Sequence, residues 1–182
     1  TMETDIGAGR GGPENSNFVL ASMDRVKETE IDIDLIERKM DRLRENVSSL
    51  EAAVESKRDE LEHYPSIRPV RGGWISSRFG ERYDPFTDKL ERHEALDISI
   101  HVGSEIYAPA SGVVSEVQSQ YVKNKGYGKY LVIDHGYGYM TLYAHLSKIV
   151  VKKGQSVNRW DVIAYSGNTG KSTAPHLHYA VF

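Results

Sequence analysis

The chain has 182 residues, a formal charge of −3 and no cysteine. That length holds one domain of ordinary size, with room for an appendage. The charge offers no nucleic-acid surface, and the lack of cysteine excludes a disulfide framework and cysteine-held zinc. No run of about 18 apolar residues is present to cross a membrane as a helix.

Residues 1–22 open with TMETDIGAGRGGPENSN, which has neither a secretory apolar core nor a periodic pattern, and read as a flexible leader. From Val26 to Leu61 the texture is helical. Apolar residues fall in steps of three and four at Ile33, Ile36, Met40, Leu43, Val47, Leu50, Val54 and Leu61, and only Lys57 breaks the series. Ser22 to Asp24 offer N-caps, so the pattern predicts a helix over 23–64, roughly 50 Å long at about 1.5 Å per residue. A seam this regular predicts a coiled coil through residues 26–61, in a homodimer or with another helix, rather than a helix lying on its own domain.

Pro65, Pro69 and the Gly72–Gly73 pair mark a linker over 65–73. From Trp74 to the end, short β-branched and aromatic runs alternate with glycine, as in GVVSEVQ, GKYLVIDHG, GYMTLYAHL and PHLHYAVF. Strand-length runs without helical pattern between them predict a mainly β domain over 74–182, of sandwich or barrel type.

Three of these runs share a pattern. In His93–Val102, Leu96, Ile98, Ile100 and Val102 alternate with His93, Asp97, Ser99 and His101 on the other parity. In Tyr139–Leu146, Met140, Leu142, Ala144 and Leu146 oppose Tyr139, Thr141, Tyr143 and His145. The last run sets His176 and His178 against Leu177, Tyr179 and Val181. Side chains two apart in a strand share a face, so each run predicts an apolar back and a histidine-bearing front. Catalytic zinc takes three His, Asp or Glu ligands and leaves a position for water. It lowers the pKa of that water and polarises a carbonyl, while neighbouring imidazoles move protons. Two histidines at i and i+2 suit one ligand and one proton carrier, and spacing leaves open which is which.

Over about Val70 to Phe182, the stretches RFGERYDPF…RHEALDIS, YAPASGVV, GYGKYLVIDHGYGYMTLYAHLS and VKKGQSVNRWDVIAYSGNTGKSTAPHLHYAV resemble the lysostaphin-like, or LytM-type, zinc metallopeptidases. The resemblance implies a compact antiparallel β domain with a groove across the sheet. It implies His93, Asp97 and His178 as zinc ligands and His145 and His176 as catalytic histidines. Ala95 stands where the family pattern usually has glycine, and Ala180 where a glutamate is common. The family also runs on past the position of Phe182 into a final strand.

Other residues read as structural. His101 shares the parity of His93 and Asp97 but reads as a polar strand-end residue. His135 precedes a glycine turn, and His63 complements a helix dipole. Tyr127, Tyr130, Tyr139 and Tyr143 are ordinary strand tyrosines that can also line a groove. Arg78 divides evenly between binding substrate and buttressing the site. The resemblance implies a zinc endopeptidase acting on peptidoglycan stem or bridge peptides, outside the cytoplasm (periplasmic or at the cell envelope), and leaves open an anchor supplied by a segment outside this sequence. The alternative is a non-catalytic regulator that joins a coiled coil to a degenerate site and activates a separate wall hydrolase. The complete ligand set favours the enzyme.

Overall fold

The computed structural model describes the backbone of residues 14–84 and 87–182, with side chains from Ile33 onward. Helix α1 spans Glu14–His63 and so begins well before the expected residue 23. Gly11, Gly12 and Pro13 precede it in sequence, and neither residue type recurs before Pro65, so nothing in the chain stops the helix sooner. The leader expected over 1–22 overlaps α1 at residues 14–22, and its remainder lies outside the described residues.

The chain divides into two compact units, one ending at Val54 and the other Glu55–Phe182. In the first, the side chains of Ile33, Ile36, Met40, Leu43, Val47, Leu50 and Val54 are each 47–64 % exposed, so the heptad seam faces water.

In the second unit the last turn of α1 is tied to the β structure. The Arg159 guanidinium donates to the carbonyls of Leu61 and Glu62, which end the helix without intrahelical partners. The expected linker 65–73 is also part of this unit. Val70 is buried and bridges Ile106, and the amides of Ser66 and Tyr107 bind the carbonyls of Pro109 and Pro69. An apolar valine directly after Pro69 gives the segment a place in the core.

Among the described residues twelve strands follow: β1 Trp74–Ser77, β2 Gly80–Tyr83, β3 Leu90–His93, β4 Leu96–Ser99, β5 Glu105–Tyr107, β6 Gly112–Gln118, β7 Lys129–Gly136, β8 Tyr139–Leu146, β9 Lys148–Ile149, β10 Ser156–Val157, β11 Val162–Tyr165 and β12 His176–Val181. Seven form one antiparallel sheet in the order β1-β4-β12-β8-β7-β6-β10; β5-β11-β9 form a second, and β2-β3 a hairpin. One face of the large sheet supplies Ile98, Val114, Leu131, Ile133, Tyr143, Leu146 and Leu177 to a core completed by Ile106, Ile163 and Ala164 of the small sheet. Each large aliphatic side chain fully buried there contributes about 1.5–3 kcal/mol. The opposite face carries a smaller cluster of Ala95, Val132, Leu142, Ala144 and Ala180. The mainly β sandwich read from the sequence is the fold observed.

The core includes one polar chain. His135 is buried, its Nδ1 donates to the Ser111 carbonyl at 2.8 Å, and its Nε2 accepts from Thr141 Oγ1 at 2.7 Å. Thr141 Oγ1 in turn accepts from the Tyr143 hydroxyl at 2.8 Å. Burial lowers the His135 pKa against the opposing pull of the Ser111 carbonyl. The folded protein therefore binds this proton at lower pH than the unfolded chain, whose histidine titrates near 6.5. Stability is unaffected well above that pH, and it falls as pH drops from about 6.5 toward the folded value. Urea unfolding between pH 7 and 5 is expected to show a shallower loss of stability for His135→Gln than for the parent. Equal slopes would contradict a neutral, buried His135.

Candidate functional site

The register of β4 against β12 places His178 opposite Asp97 and His176 opposite Ser99, with Leu177 opposite Ile98. Directly opposed residues share a face. Asp97, His176 and His178 therefore stand together on the large sheet's outer face while Leu177 and Ile98 enter the core, as alternation predicts.

His93 arrives differently from the expectation. The run from His93 to Val102 is not one strand: β3 ends at His93, Glu94 and Ala95 turn the chain, and Asp97 lies in β4. The buried Ala95 side chain packs in the cluster under the site and anchors that turn. In the β2–β3 hairpin, Gly80 opposes His93 and Arg82 opposes Glu91, so Arg82, Glu91 and His93 share one face. His93 Nδ1 donates to the Arg78 carbonyl at 3.0 Å, which leaves Nε2 as the lone-pair nitrogen.

Three donor atoms converge at this point. His93 Nε2 lies 3.3 Å from His178 Nδ1 and 3.2 Å from Asp97 Oδ1, and His178 Nδ1 lies 2.8 Å from Asp97 Oδ1. Tetrahedral ligands at bonds of roughly 2.0–2.1 Å sit about 3.3 Å apart. The two separations from His93 match the edges of such a tetrahedron, the Asp97–His178 separation is shorter at hydrogen-bond length, and the residues fit a metal ion. His93 and Asp97 are buried and His178 is partly so.

Burial alone would raise the Asp97 pKa. Hydrogen bonds from His178 and Arg82 outweigh it and hold the carboxyl well below the usual range. Arg82 Nη1 donates to Asp97 Oδ2 at 2.8 Å, so one carboxylate oxygen faces the histidines and the other is engaged by a cation.

His145 reaches the site through a bulge. Leu131 and Lys129, two apart on β7, oppose Tyr143 and Leu146, three apart on β8, so β8 carries one extra residue. His145 in that bulge has φ 61°, a left-handed conformation that costs a non-glycine residue of order 1–3 kcal/mol. The bulge overturns the parity expected for β8. Thr141 and Tyr143 face the core and are fully buried, whereas Ala144 stands opposite His178 on the site's face. The displaced phase brings the His145 ring to 4.7 Å from His176 and 5.6 Å from His178. Its Nδ1 donates to the Thr169 carbonyl at 2.8 Å. Burial, with the nearby His176, pushes its pKa down to about 4. His176 Nδ1 donates to the Ala174 carbonyl at 2.8 Å, and its Nε2 lies 3.8 Å from Asp97 Oδ1.

The loop that bears Thr169 is held tightly. Thr169 Oγ1 donates to the Leu146 carbonyl and accepts from the Lys129 amide. Gly128, at φ +68°, lets the backbones touch, since a Cβ there would lie 2.4–2.5 Å from Thr169 atoms.

His93, Asp97, His145, His176 and His178 line a cleft of about 360 Å³, with Tyr127, Lys171, Ser172, Thr173 and Phe182 on its walls. The Tyr127 ring centroid is 5.4 Å from that of His178, so this tyrosine lines the groove. Arg78 contributes its carbonyl to His93, and its side chain is exposed. His101 is exposed beyond the end of β4, and His63 binds the Asp59 carbonyl in the last helical turn. Sequence reading missed Arg82 and Thr169. Arg82 became legible only through the hairpin, where its pairing with Glu91 puts it on the face of His93. Thr169 acts through its carbonyl, which side-chain patterns do not register. Ala95 and Ala180, both departures from the family pattern, are neighbours in the cluster beneath the site.

The sequence profile of peptidase family M23 matches residues 91–182. The chain is 44 % identical over 124 residues to the peptidoglycan DD-endopeptidase ShyA of Vibrio cholerae serotype O1, a match that covers 66 % of this chain and 28 % of that protein. Across three curated relatives it spans 23–30 % of their length. A zinc-containing peptidase from Vibrio cholerae superposes with a TM-score of 0.55 at 40 % identity, over 66 % of this chain and 36 % of that one. The catalytic domain of lysostaphin from Staphylococcus simulans superposes at 0.54 with 30 % identity, over 60 % and 80 % respectively.

Proposed function

Because the chain belongs to peptidase family M23, a metallopeptidase family, we propose that it is a zinc-dependent endopeptidase that hydrolyses peptide bonds of peptidoglycan cross-links or bridges. The observation that carries this reading is the convergence of His93 Nε2, Asp97 Oδ1 and His178 Nδ1 within 3.3 Å of one another, beside two more imidazoles. The relative named a peptidoglycan DD-endopeptidase and the neighbour named a zinc-containing peptidase support the substrate class and the metal. Such a substrate sets the work outside the cytoplasm, in the periplasm or at the cell envelope. No helix among the described residues is long and apolar enough to cross a membrane.

In this reading His93, Asp97 and His178 hold the zinc. Bound there, zinc supplies Lewis acidity that acidifies water and polarises a carbonyl. His145 and His176 each commit Nδ1–H to a backbone carbonyl, Thr169 and Ala174 respectively. Each therefore keeps Nε2 for the cleft, His145 and His176 together transferring protons and stabilising charge on the carbonyl oxygen. The walls from Tyr127 to Phe182 orient the extended peptide. The regulator alternative requires a degenerate site, and none of the five positions is lost.

The exposed seam from Ile33 to Val54 is read as a surface for pairing with another helix, in a second copy or a partner.

Digestion of purified peptidoglycan, with new amino termini mapped, is expected to release fragments only in the absence of a zinc chelator. His145→Ala is expected to keep its zinc while its rate falls by about 10²–10⁴-fold. Undiminished cleavage by that variant would sink the mechanism. For the seam, sedimentation of the parent and of Leu43→Asp/Leu50→Asp is expected to show association that the variant loses, with itself or with an added partner fraction. A monomer with the same helix content and melting in both proteins, and no added binding, contradicts pairing.

A further inference from the structure

Arg82 is the one cation bonded to the three-donor cluster among the described residues, and its contacts exceed what closing a hairpin needs. Its Nη1 donates both to Asp97 Oδ2 and to Ser77 Oγ at 2.8 Å, and its Nε donates to Glu91 Oε1 at 3.1 Å. One side chain thus ties β1, β2, β3 and β4 together. Ser77 lies opposite Asp97 in the β1–β4 register and Glu91 lies opposite Arg82 in the hairpin, so every tether is set by strand pairing. The Arg82 side chain is 29 % exposed and the Asp97 side chain 8 %, so the contact is largely shielded from water.

A guanidinium holds its donors in a fixed fork, so Nη1 can bond Asp97 and Ser77 while Nε stays on Glu91, an arrangement a single ammonium does not preset. With Oδ2 engaged, only Oδ1 is turned to His93 and His178. The same side chain holds the hairpin that delivers His93, so two of the three donors take their placement from it. We infer that Arg82 is a positioning residue for the metal centre: it keeps Asp97 a one-oxygen donor and holds His93 in register with it. This rests on the metal-site reading above. Groups that orient a metal's ligands from outside typically alter affinity by about 10–100-fold.

The test is zinc affinity of the purified chain, measured by competition with a chromophoric chelator, alongside urea unfolding of the metal-free protein. Arg82→Gln is expected to weaken zinc by about 10–100-fold, and Arg82→Lys, which keeps the charge without the fork, to fall between. Glu91→Ala removes the hairpin tether while leaving the bond to Asp97, and is expected to weaken zinc less than Arg82→Gln does. Arg82→Gln binding zinc as tightly as the parent would overturn the inference. So would a loss in Glu91→Ala equal to that in Arg82→Gln, since the bond to Asp97 would then add nothing. A parent chain that binds no zinc would instead overturn the metal-site reading, so the two failures are distinguishable.

Discussion

Lone pairs that point at one another across about 3 Å repel unless a proton or cation lies between them, and the site is built around that constraint. His93 Nε2 has surrendered its proton position to the Arg78 contact on the other nitrogen, and Asp97 is ionised. Both face His178 Nδ1, which donates to Asp97 Oδ1 at 2.8 Å. A divalent ion held by His93, Asp97 and His178 would satisfy all three donors at once, and binding it would release the His178 Nδ1 proton. The fold sustains the crowding because each donor is held from behind. Strand register holds Asp97 against His178, the hairpin holds His93, and Arg82 bonds the carboxylate's far oxygen.

The second layer follows the same logic. His145 and His176 are each fixed through Nδ1 by a carbonyl, so both keep one tautomer and one open nitrogen. For His145 that arrangement needs a left-handed residue in a bulge, a glycine in the facing loop and the Thr169 clamp. Strain at that point is sustained by the fully buried core beneath it, where Tyr143 and Leu146 flank the bulge.

Much of this was legible in the sequence, and the failures have physical causes. Alternation placed His176, His178 and Asp97 correctly because β4 and β12 are regular strands. It failed twice. His93 and Asp97 share a site through a turn and a hairpin rather than one strand, since period two says nothing about where a strand breaks. In β8 the extra residue shifts the phase, so Thr141 and Tyr143 go inward although their parity matches His145. Family resemblance supplied His145 regardless, because motif order survives a bulge. The heptad seam located the helix, and its early start at Glu14 follows from the lack of any breaker after Pro13. Arg82 was hidden because an arginine between a glutamate and a tyrosine resembles any exposed strand charge until its cross-strand partner is known.

The most direct test of the convergence is a crystal structure of the zinc-loaded chain with anomalous data collected at the zinc edge. One peak is expected about 2.0–2.2 Å from His93 Nε2, His178 Nδ1 and Asp97 Oδ1, with Arg82 still on Oδ2. A peak held by other side chains, or no peak in protein that retains zinc in solution, would contradict the account.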